Sequence, residues 1–159
     1  MLSRSSLTVL SAGAVVAALA GCPTYDPAPC FPASSAAPAD ESEGGFSRRL
    51  LGWEIDKMAA LTGVPDSDLP PSPQFLHAQR DMRTEFWLDA AKGLLSVARG
   101  DTPDGKKVRQ FAQYDLALSL YRLRYFEETK RLFHQIAEDP KHPRRHEAEA
   151  WLDRKNCPG

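Results

Sequence analysis

Apolar side chains recur at steps of three and four along the chain from Phe46 onward, which is the spacing of one face of an α-helix. No stretch alternates apolar and polar residues for long enough to indicate a β-strand. The pattern predicts five helices, at residues 46–62, 73–99, 106–123, 126–138 and 144–155. The fold class is therefore predicted to be all-α, a short antiparallel array of about five helices with short connections.

The second predicted helix is the longest, and it carries a well-defined apolar stripe. The stripe consists of Met82, Phe86, Ala90, Leu94 and Val97. Aromatic residues at helical spacing belong to a hydrophobic core far more often than to a ligand site. The three tryptophans and most of the phenylalanines and tyrosines lie at such positions. We therefore assign them to the core of the array.

The first 22 residues, MLSRSSLTVLSAGAVVAALAGC, have a different pattern. Arg4 precedes an apolar run from Leu7 to Leu19, which is shorter than the roughly 20 apolar residues that cross a bilayer. A basic start, a short apolar run and small residues at the end are typical of a secretory signal. The sequence thus divides into a signal at 1–21, a tether at 22–45 and a folded part at 46–157.

The end of the signal, Leu19-Ala20-Gly21-Cys22, resembles the lipobox of bacterial lipoproteins. The resemblance implies that the Cys22 thiol is acylated and that a peptidase cleaves before it, which leaves a mature protein held in the cell envelope by lipid. Residue 23 is Pro and not the Asp that retains enterobacterial lipoproteins at the inner membrane, so the resemblance favours the outer membrane. An ordinary signal peptide with a nearby cysteine is the alternative.

The tether contains five prolines between residues 23 and 45 and few large apolar side chains. Such a composition does not fold by itself, so we expect an extended segment that holds the folded part away from the lipid. With Cys22 acylated, Cys30 and Cys157 remain in an oxidising compartment, and the even count favours a disulfide between them. Two free thiols or an intermolecular bond are the alternatives.

Residues 113–143, QYDLALSLYRLRYFEETKRLFHQIAEDPKHP, resemble one tetratricopeptide repeat unit, which is a pair of antiparallel helices. Arg124 stands where the repeat prefers Gly and Thr129 where it prefers Ala, so the match is degenerate. A helical hairpin of no particular family is the alternative. The core residues that the resemblance implies for this hairpin are Leu116, Ala117, Leu120, Phe126, Phe133 and Ile136.

No phosphate-binding loop, serine-hydrolase motif or zinc-protease motif occurs in the sequence. His142 and His146 have the i, i+4 spacing of a metal pair, but Pro143 lies between them and Arg144 and Arg145 add positive charge. The pattern favours a solvated, mixed-charge helix start over a metal site. We expect no catalytic residue, no metal and no cofactor.

The formal net charge of −1 argues against a dedicated nucleic-acid-binding protein. The charge is unevenly divided, however. Residues 22–105 hold seven basic and thirteen acidic side chains, whereas residues 106–159 hold twelve basic and eight acidic ones. The basic C-terminal half is suited to anionic lipid, lipopolysaccharide, peptidoglycan or an acidic partner, and an ordinary solvated surface is the alternative.

Tetratricopeptide arrays present a concave face to a peptide or a partner helix. The resemblance therefore implies a non-catalytic envelope lipoprotein that binds another protein or supports an assembly, with neither nucleic acid nor a small-molecule substrate as a ligand. A small cell-wall or envelope hydrolase and a structural tether between membrane and peptidoglycan are the alternative functions. Phe31 lies in the tether, so we expect it to contribute little to the stability of the folded part.

Overall fold

The computed structural model describes residues 31, 46–59, 66 and 69–153, and this part of the chain contains helices and no strand. The predicted all-α fold is confirmed. The helices within these residues are α1 (Arg48–Ala59), α2 (Pro73–Arg83), α3 (Trp87–Arg99), α4 (Lys106–Arg122), α5 (Phe126–Glu138) and α6 (Arg145–Leu152).

The helices form a layered array around one hydrophobic core. From α2 to α6 each helix packs on the next, and α1 packs on α3 and α5. Gln135 Nε2 on α5 donates to the Ile55 carbonyl on α1 at 3.0 Å, and just before the two helices the Tyr125 hydroxyl donates to the Phe46 carbonyl at 3.1 Å. Side chains with no exposed surface fill the centre: Ile55, Ala90, Ala91, Leu94, Val97, Ala112, Leu116, Ala117, Leu120, Leu132, Phe133 and Ala148.

The single helix predicted for residues 73–99 is wrong, because this segment forms two helices, α2 and α3, joined by a tight turn. The backbone of Glu85 has a φ of 63°, in the left-handed region that ends a helix. Phe86 belonged to the predicted apolar stripe, yet its side chain is 62% exposed at the turn. No Gly or Pro marks this turn in the sequence, so the apolar spacing runs through it without a break.

The turn between α2 and α3 has the same backbone geometry as the turn between α4 and α5. Glu85 and Arg124 both have a positive φ, of 63° and 67°. In each turn the next amide donates to the carbonyl five residues earlier at 2.9 Å, from Phe86 to Asp81 and from Tyr125 to Leu120. These are Schellman endings, 39 positions apart. The α2–α3 and α4–α5 hairpins thus share the backbone geometry of their turns.

Asp104 fastens the start of α2 to the loop that precedes α4. Its carboxylate accepts from the Ser72 amide at 2.8 Å, from the Ser72 hydroxyl at 2.6 Å and from the Thr102 hydroxyl at 2.6 Å. Arg109 Nε donates to the Asp104 carbonyl at 2.7 Å. Burial by itself raises the pKa of Asp104, but the hydrogen bonds from Ser72 and Thr102 outweigh it and lower the pKa. This network holds the α2–α3 hairpin in a fixed position relative to the α4–α5 hairpin.

Phe31, which the sequence analysis assigns to the tether, lies against the folded part. Its ring centroid is 5.6 Å from Tyr121, 6.4 Å from Phe126 and 6.1 Å from Trp151. The Lys130 ammonium lies 5.4 Å from the centre of the same ring. The expectation that Phe31 stands apart from the core is therefore wrong. Packing on three other aromatic rings stabilises this one side chain in contact with the folded part. The proline-rich sequence on either side of Phe31 does not indicate this contact.

Candidate interaction face

Helix α1 covers one side of the array and not the other. It packs on α3 and α5, the second helices of the two hairpins. Over the residues that the structure describes, no helix is layered on the outer side of α2, α4 and α6. We call the outer surface of these three helices the open face.

Helix α4 lies in the middle of the open face and is apolar on both sides. Three partly buried residues form an i, i+3, i+7 row that packs against the edge of the core, on the side of α4 opposite its fully buried residues: Phe111, Tyr114 and Leu118. The inner side is fully buried at Ala112, Leu116, Ala117 and Leu120. A helix at a protein surface ordinarily presents charged residues outward. The apolar row on α4 therefore marks the open face as a surface suited to contact.

Arg144, in the turn before α6, reaches over this apolar row. Its guanidinium carbon lies 5.6 Å from the ring centre of Phe111 and 5.8 Å from that of Tyr114, within the range of cation–π attraction. Arg144 Nη1 also lies 2.7 Å from a Glu147 carboxylate oxygen. The hydrogen bond with Glu147 raises the pKa of Arg144 further above its ordinary value. The open face thus carries an Arg144–Glu147 ion pair whose guanidinium lies over two aromatic rings.

Asp115 stands between α2 and α4 on the same face. Gln79 Nε2 donates to its carboxylate at 3.4 Å and so links the first helices of the two hairpins. Burial raises the pKa of Asp115, while the Gln79 hydrogen bond and the charge of Arg144 oppose that rise. The carboxylate supplies hydrogen-bond acceptors close to the apolar row.

The buried side chain of His142 holds the backbone of Arg144 in place. It is 5% exposed, so the predicted solvated surroundings are wrong for this residue. The Arg144 amide donates to His142 Nδ1 at 3.1 Å, and Nε2 lies 3.1 Å from the Gln110 carbonyl. An amide can only donate, so Nδ1 accepts and Nε2 carries the proton. Burial lowers the pKa of His142, which the charges of Asp139 and Glu147 partly oppose, and the neutral ring satisfies both contacts.

His142 and His146 do not share a site. Helix α6 begins at Arg145, so His142 lies outside it, whereas the exposed ring of His146 lies 3.1 Å from Glu149. Among the residues placed by the structure, no group of three or more His, Cys, Asp or Glu side chains is arranged to hold a metal ion. The two histidines therefore have separate structural surroundings.

The residues implied by the repeat resemblance lie together between α4, α5 and α6. Six side chains are between 0% and 6% exposed: Leu116, Ala117, Leu120, Phe126, Phe133 and Ile136. Thr129, which replaces the preferred Ala, is also fully buried, and its hydroxyl donates to the Tyr125 carbonyl at 2.8 Å. Cys22, Cys30 and Cys157 lie outside the described residues.

Sequence reasoning missed the open face because it assigned every aromatic residue at helical spacing to the core. The available signal was in α4, where apolar residues occupy outward as well as inward positions. In the sequence, Arg144 is recognisable only as a positive charge next to His142 that is unfavourable to a metal. Its place over Phe111 and Tyr114 depends on the turn before α6.

Comparison with known proteins does not indicate a function, so the proposal for this protein depends on the geometry of the open face. No family model matches the chain, and neither a curated protein nor a solved structure matches it. Within the described residues, no helix is both long enough and apolar enough to cross a membrane.

Proposed function

We propose that this protein is a non-catalytic lipoprotein of the bacterial envelope that binds a segment of another protein on its open face. The observation that carries the proposal is the partly exposed apolar row of α4, which lies beneath Arg144 and opposite the fully buried residues of the same helix. The lipobox resemblance at Cys22 supports a lipid anchor, and Pro23 supports the outer membrane, with the folded part in the periplasm.

The chemistry of the open face indicates the kind of partner. Phe111 and Leu118 offer apolar surface to apolar side chains, and Arg144 can offer a carboxylate the N–H donors that Glu147 does not use. Residues 106–159 have a net charge of +4, which attracts an acidic segment over a longer range. The partner is therefore an amphipathic segment with apolar and acidic side chains.

The shared turn geometry of the two hairpins supports a tetratricopeptide-like arrangement of the binding face. Arrays of helical hairpins place the first helix of each unit on one surface, and α2, α4 and α6 occupy those positions here. The two Schellman turns are 39 residues apart, compared with about 34 residues in a tetratricopeptide repeat. The proposed array is thus an irregular relative of that plan.

The contact between Phe31 and Trp151 supports the proposed Cys30–Cys157 disulfide. The two rings are 6.1 Å apart, and the cysteines lie one position before Phe31 and six positions after Trp151. We expect non-reducing peptide mapping to recover the two cysteine peptides joined. Complete alkylation of both thiols without a reductant would rule out the bridge.

Site-specific photo-crosslinking tests the binding function. We expect a photoreactive phenylalanine at Leu118 to crosslink one protein in intact cells, and the same group at Trp53, which is 53% exposed on α1, to crosslink none. Arg144→Glu should remove the Leu118 product, whereas Arg145→Glu, a matched charge reversal at the next residue, should leave it. Equal crosslinking from Leu118 and Trp53 would contradict the proposal.

The lipid anchor is tested separately. Cys22→Ser should abolish labelling by a clickable fatty acid, because a hydroxyl cannot form the thioether. Acylation of the variant at the wild-type level would refute the lipobox interpretation. Recovery of peptidoglycan in place of a protein would favour the tether function, and release of soluble cell-wall fragments by the purified protein would favour a hydrolase.

A further inference from the structure

The α2–α3 turn and the α4–α5 turn lie together at one end of the array. The guanidinium carbon of Arg122, the last residue of α4, is 5.4 Å from the ring centre of Trp87, the first residue of α3. We call residues 83–87 and 122–126, which form the two turns, the turn end. The open face runs along the sides of the helices, so a contact at the turn end leaves it free.

The chain that arrives from the N-terminus is fastened at the turn end. Phe31 contacts Phe126, and Phe46 contacts the adjacent Tyr125, with ring centroids 6.4 Å and 6.3 Å apart. Phe31 lies nine positions after Cys22. Nine residues span at most about 30 Å when fully extended. The docked Phe31 ring therefore holds the turn end within that distance of whatever is attached to Cys22.

The exposed side chains of the turn end combine positive charge with apolar surface. Arg83, Arg122 and Arg124 are exposed, and Phe86, which precedes Trp87 in the α2–α3 turn, is 62% exposed. Glu85 is the acidic residue within 83–87 and 122–126, whose net charge is +2, and Asp81, Asp89 and Glu128 lie within two residues of these bounds. Nearby, Glu127 is paired with Lys130 at 3.1 Å.

Arginine beside an exposed aromatic ring is the composition of a membrane interface. The guanidinium binds the phosphates of anionic headgroups, and the ring enters the boundary between headgroups and acyl chains. We infer that the turn end is a membrane-facing surface that binds anionic phospholipid through Arg122 and Arg124, with Phe86 in the interface. The inference rests on the proposed lipid anchor at Cys22, which brings this surface to the bilayer.

Hydrogen exchange of the full chain in lipid nanodiscs tests the inference. The protein is purified from membranes, its acyl chains are verified by intact mass, and it is placed in phosphatidylcholine discs with or without phosphatidylglycerol. We expect amides of the turn end to exchange several-fold more slowly when phosphatidylglycerol is present. High salt should remove the difference, because it screens the charges.

Three variants assign the effect to the named residues. Arg122→Glu combined with Arg124→Glu should abolish the lipid-dependent protection, and these exposed positions allow the variant to fold. Lys106→Glu combined with Lys107→Glu reverses two charges at the other end of α4 and should leave the protection intact. Phe31→Ala should reduce the protection while acylation persists, because the chain is then fastened to the turn end only from Phe46, which lies 24 positions after Cys22.

The outcomes separate the two proposals. Acylated protein whose turn end exchanges equally in both lipids, or whose protection survives reversal of Arg122 and Arg124, overturns the membrane-facing surface alone. A chain without acyl chains overturns the anchor in the proposed function, and with it this inference. Loss of protection in the Lys106 and Lys107 variant as well would show an effect of net charge and overturn the assignment to the turn end.

Discussion

Replacement of Phe133 by Ala tests the centre of the array. Phe133 has no exposed surface and belongs to the hairpin that carries the repeat resemblance. Its ring stacks on Trp151 at 5.1 Å with an interplanar angle of 17°, and it lies 5.8 Å from Tyr114. One side chain thus connects α5 with α6 and with the apolar row of α4.

The expected loss of stability follows from the cavity and the lost ring contacts. Truncation of a buried Phe to Ala costs about 3–5 kcal/mol. Aromatic pairs add about 0.5–1.5 kcal/mol beyond the area that they bury, and Phe133 takes part in two such pairs, so we expect the upper part of that range. A domain of this size has roughly 5–15 kcal/mol in total. Each kcal/mol lowers the Tm of a domain of this size by roughly 4–8 °C, so the midpoint should fall by about 15 °C or more.

Thermal and urea unfolding followed by circular dichroism measures this loss. Phe86→Ala is the matched control, because it removes the same atoms from a ring that is 62% exposed, and it should change the free energy of unfolding by less than about 0.5 kcal/mol. If both variants unfolded with equally small shifts, Phe133 would not be a core residue. The helical hairpin and the binding face that depends on it would then be wrong.

Three further predictions concern the points at which the structure changed the interpretation of the sequence. Phe31→Ala should lower the free energy of unfolding by about 1–2 kcal/mol in urea melts, since its ring packs on three others; an unchanged midpoint would show that Phe31 is not docked. Arg124→Gly should raise stability by about 1 kcal/mol, since Gly accepts a φ of 67° without strain, whereas Arg124→Ala should give no such gain; equal effects would argue against the left-handed backbone. Asp104→Asn should destabilise the protein by about 1–3 kcal/mol at neutral pH. The folded-state pKa of Asp104 is lowered, so its contribution is present above the unfolded pKa of about 3.9 and is lost as the pH falls through the folded pKa. Melts of both proteins across the acid range should therefore converge, and a constant difference would contradict the role of the carboxylate.

The sequence determined the class of the fold and the positions of its helices where local signals agree. Apolar spacing of three to four predicts helices at 106–123 and 126–138, and the structure has α4 at Lys106–Arg122 and α5 at Phe126–Glu138. Gly100, with a φ of 91°, ends α3 at the predicted residue. These features depend on residues close in the chain, so the local sequence contains the information.

The turn inside residues 73–99 was decided by tertiary packing. Glu85 adopts a left-handed backbone that a non-glycine residue ordinarily avoids, so its own preference does not favour the turn. The backbone folds back there because α3 then buries Ala90, Leu94 and Val97 against its neighbours. The same apolar spacing would suit one long helix, and only the arrangement of the other helices excludes it.

The open face and the position of Phe31 likewise could not be predicted from the sequence. Phe111 and Phe133 have the same side chain on neighbouring helices, yet one lies partly exposed beneath Arg144 and the other is fully buried. What separates them is the position of α6, whose Trp151 stacks on Phe133 at 5.1 Å, whereas no helix within the described residues is layered on the outer side of α4. Periodicity shows which side chains share a face of a helix, but burial depends on which other helix covers that face, and contacts between distant parts of the chain determine this.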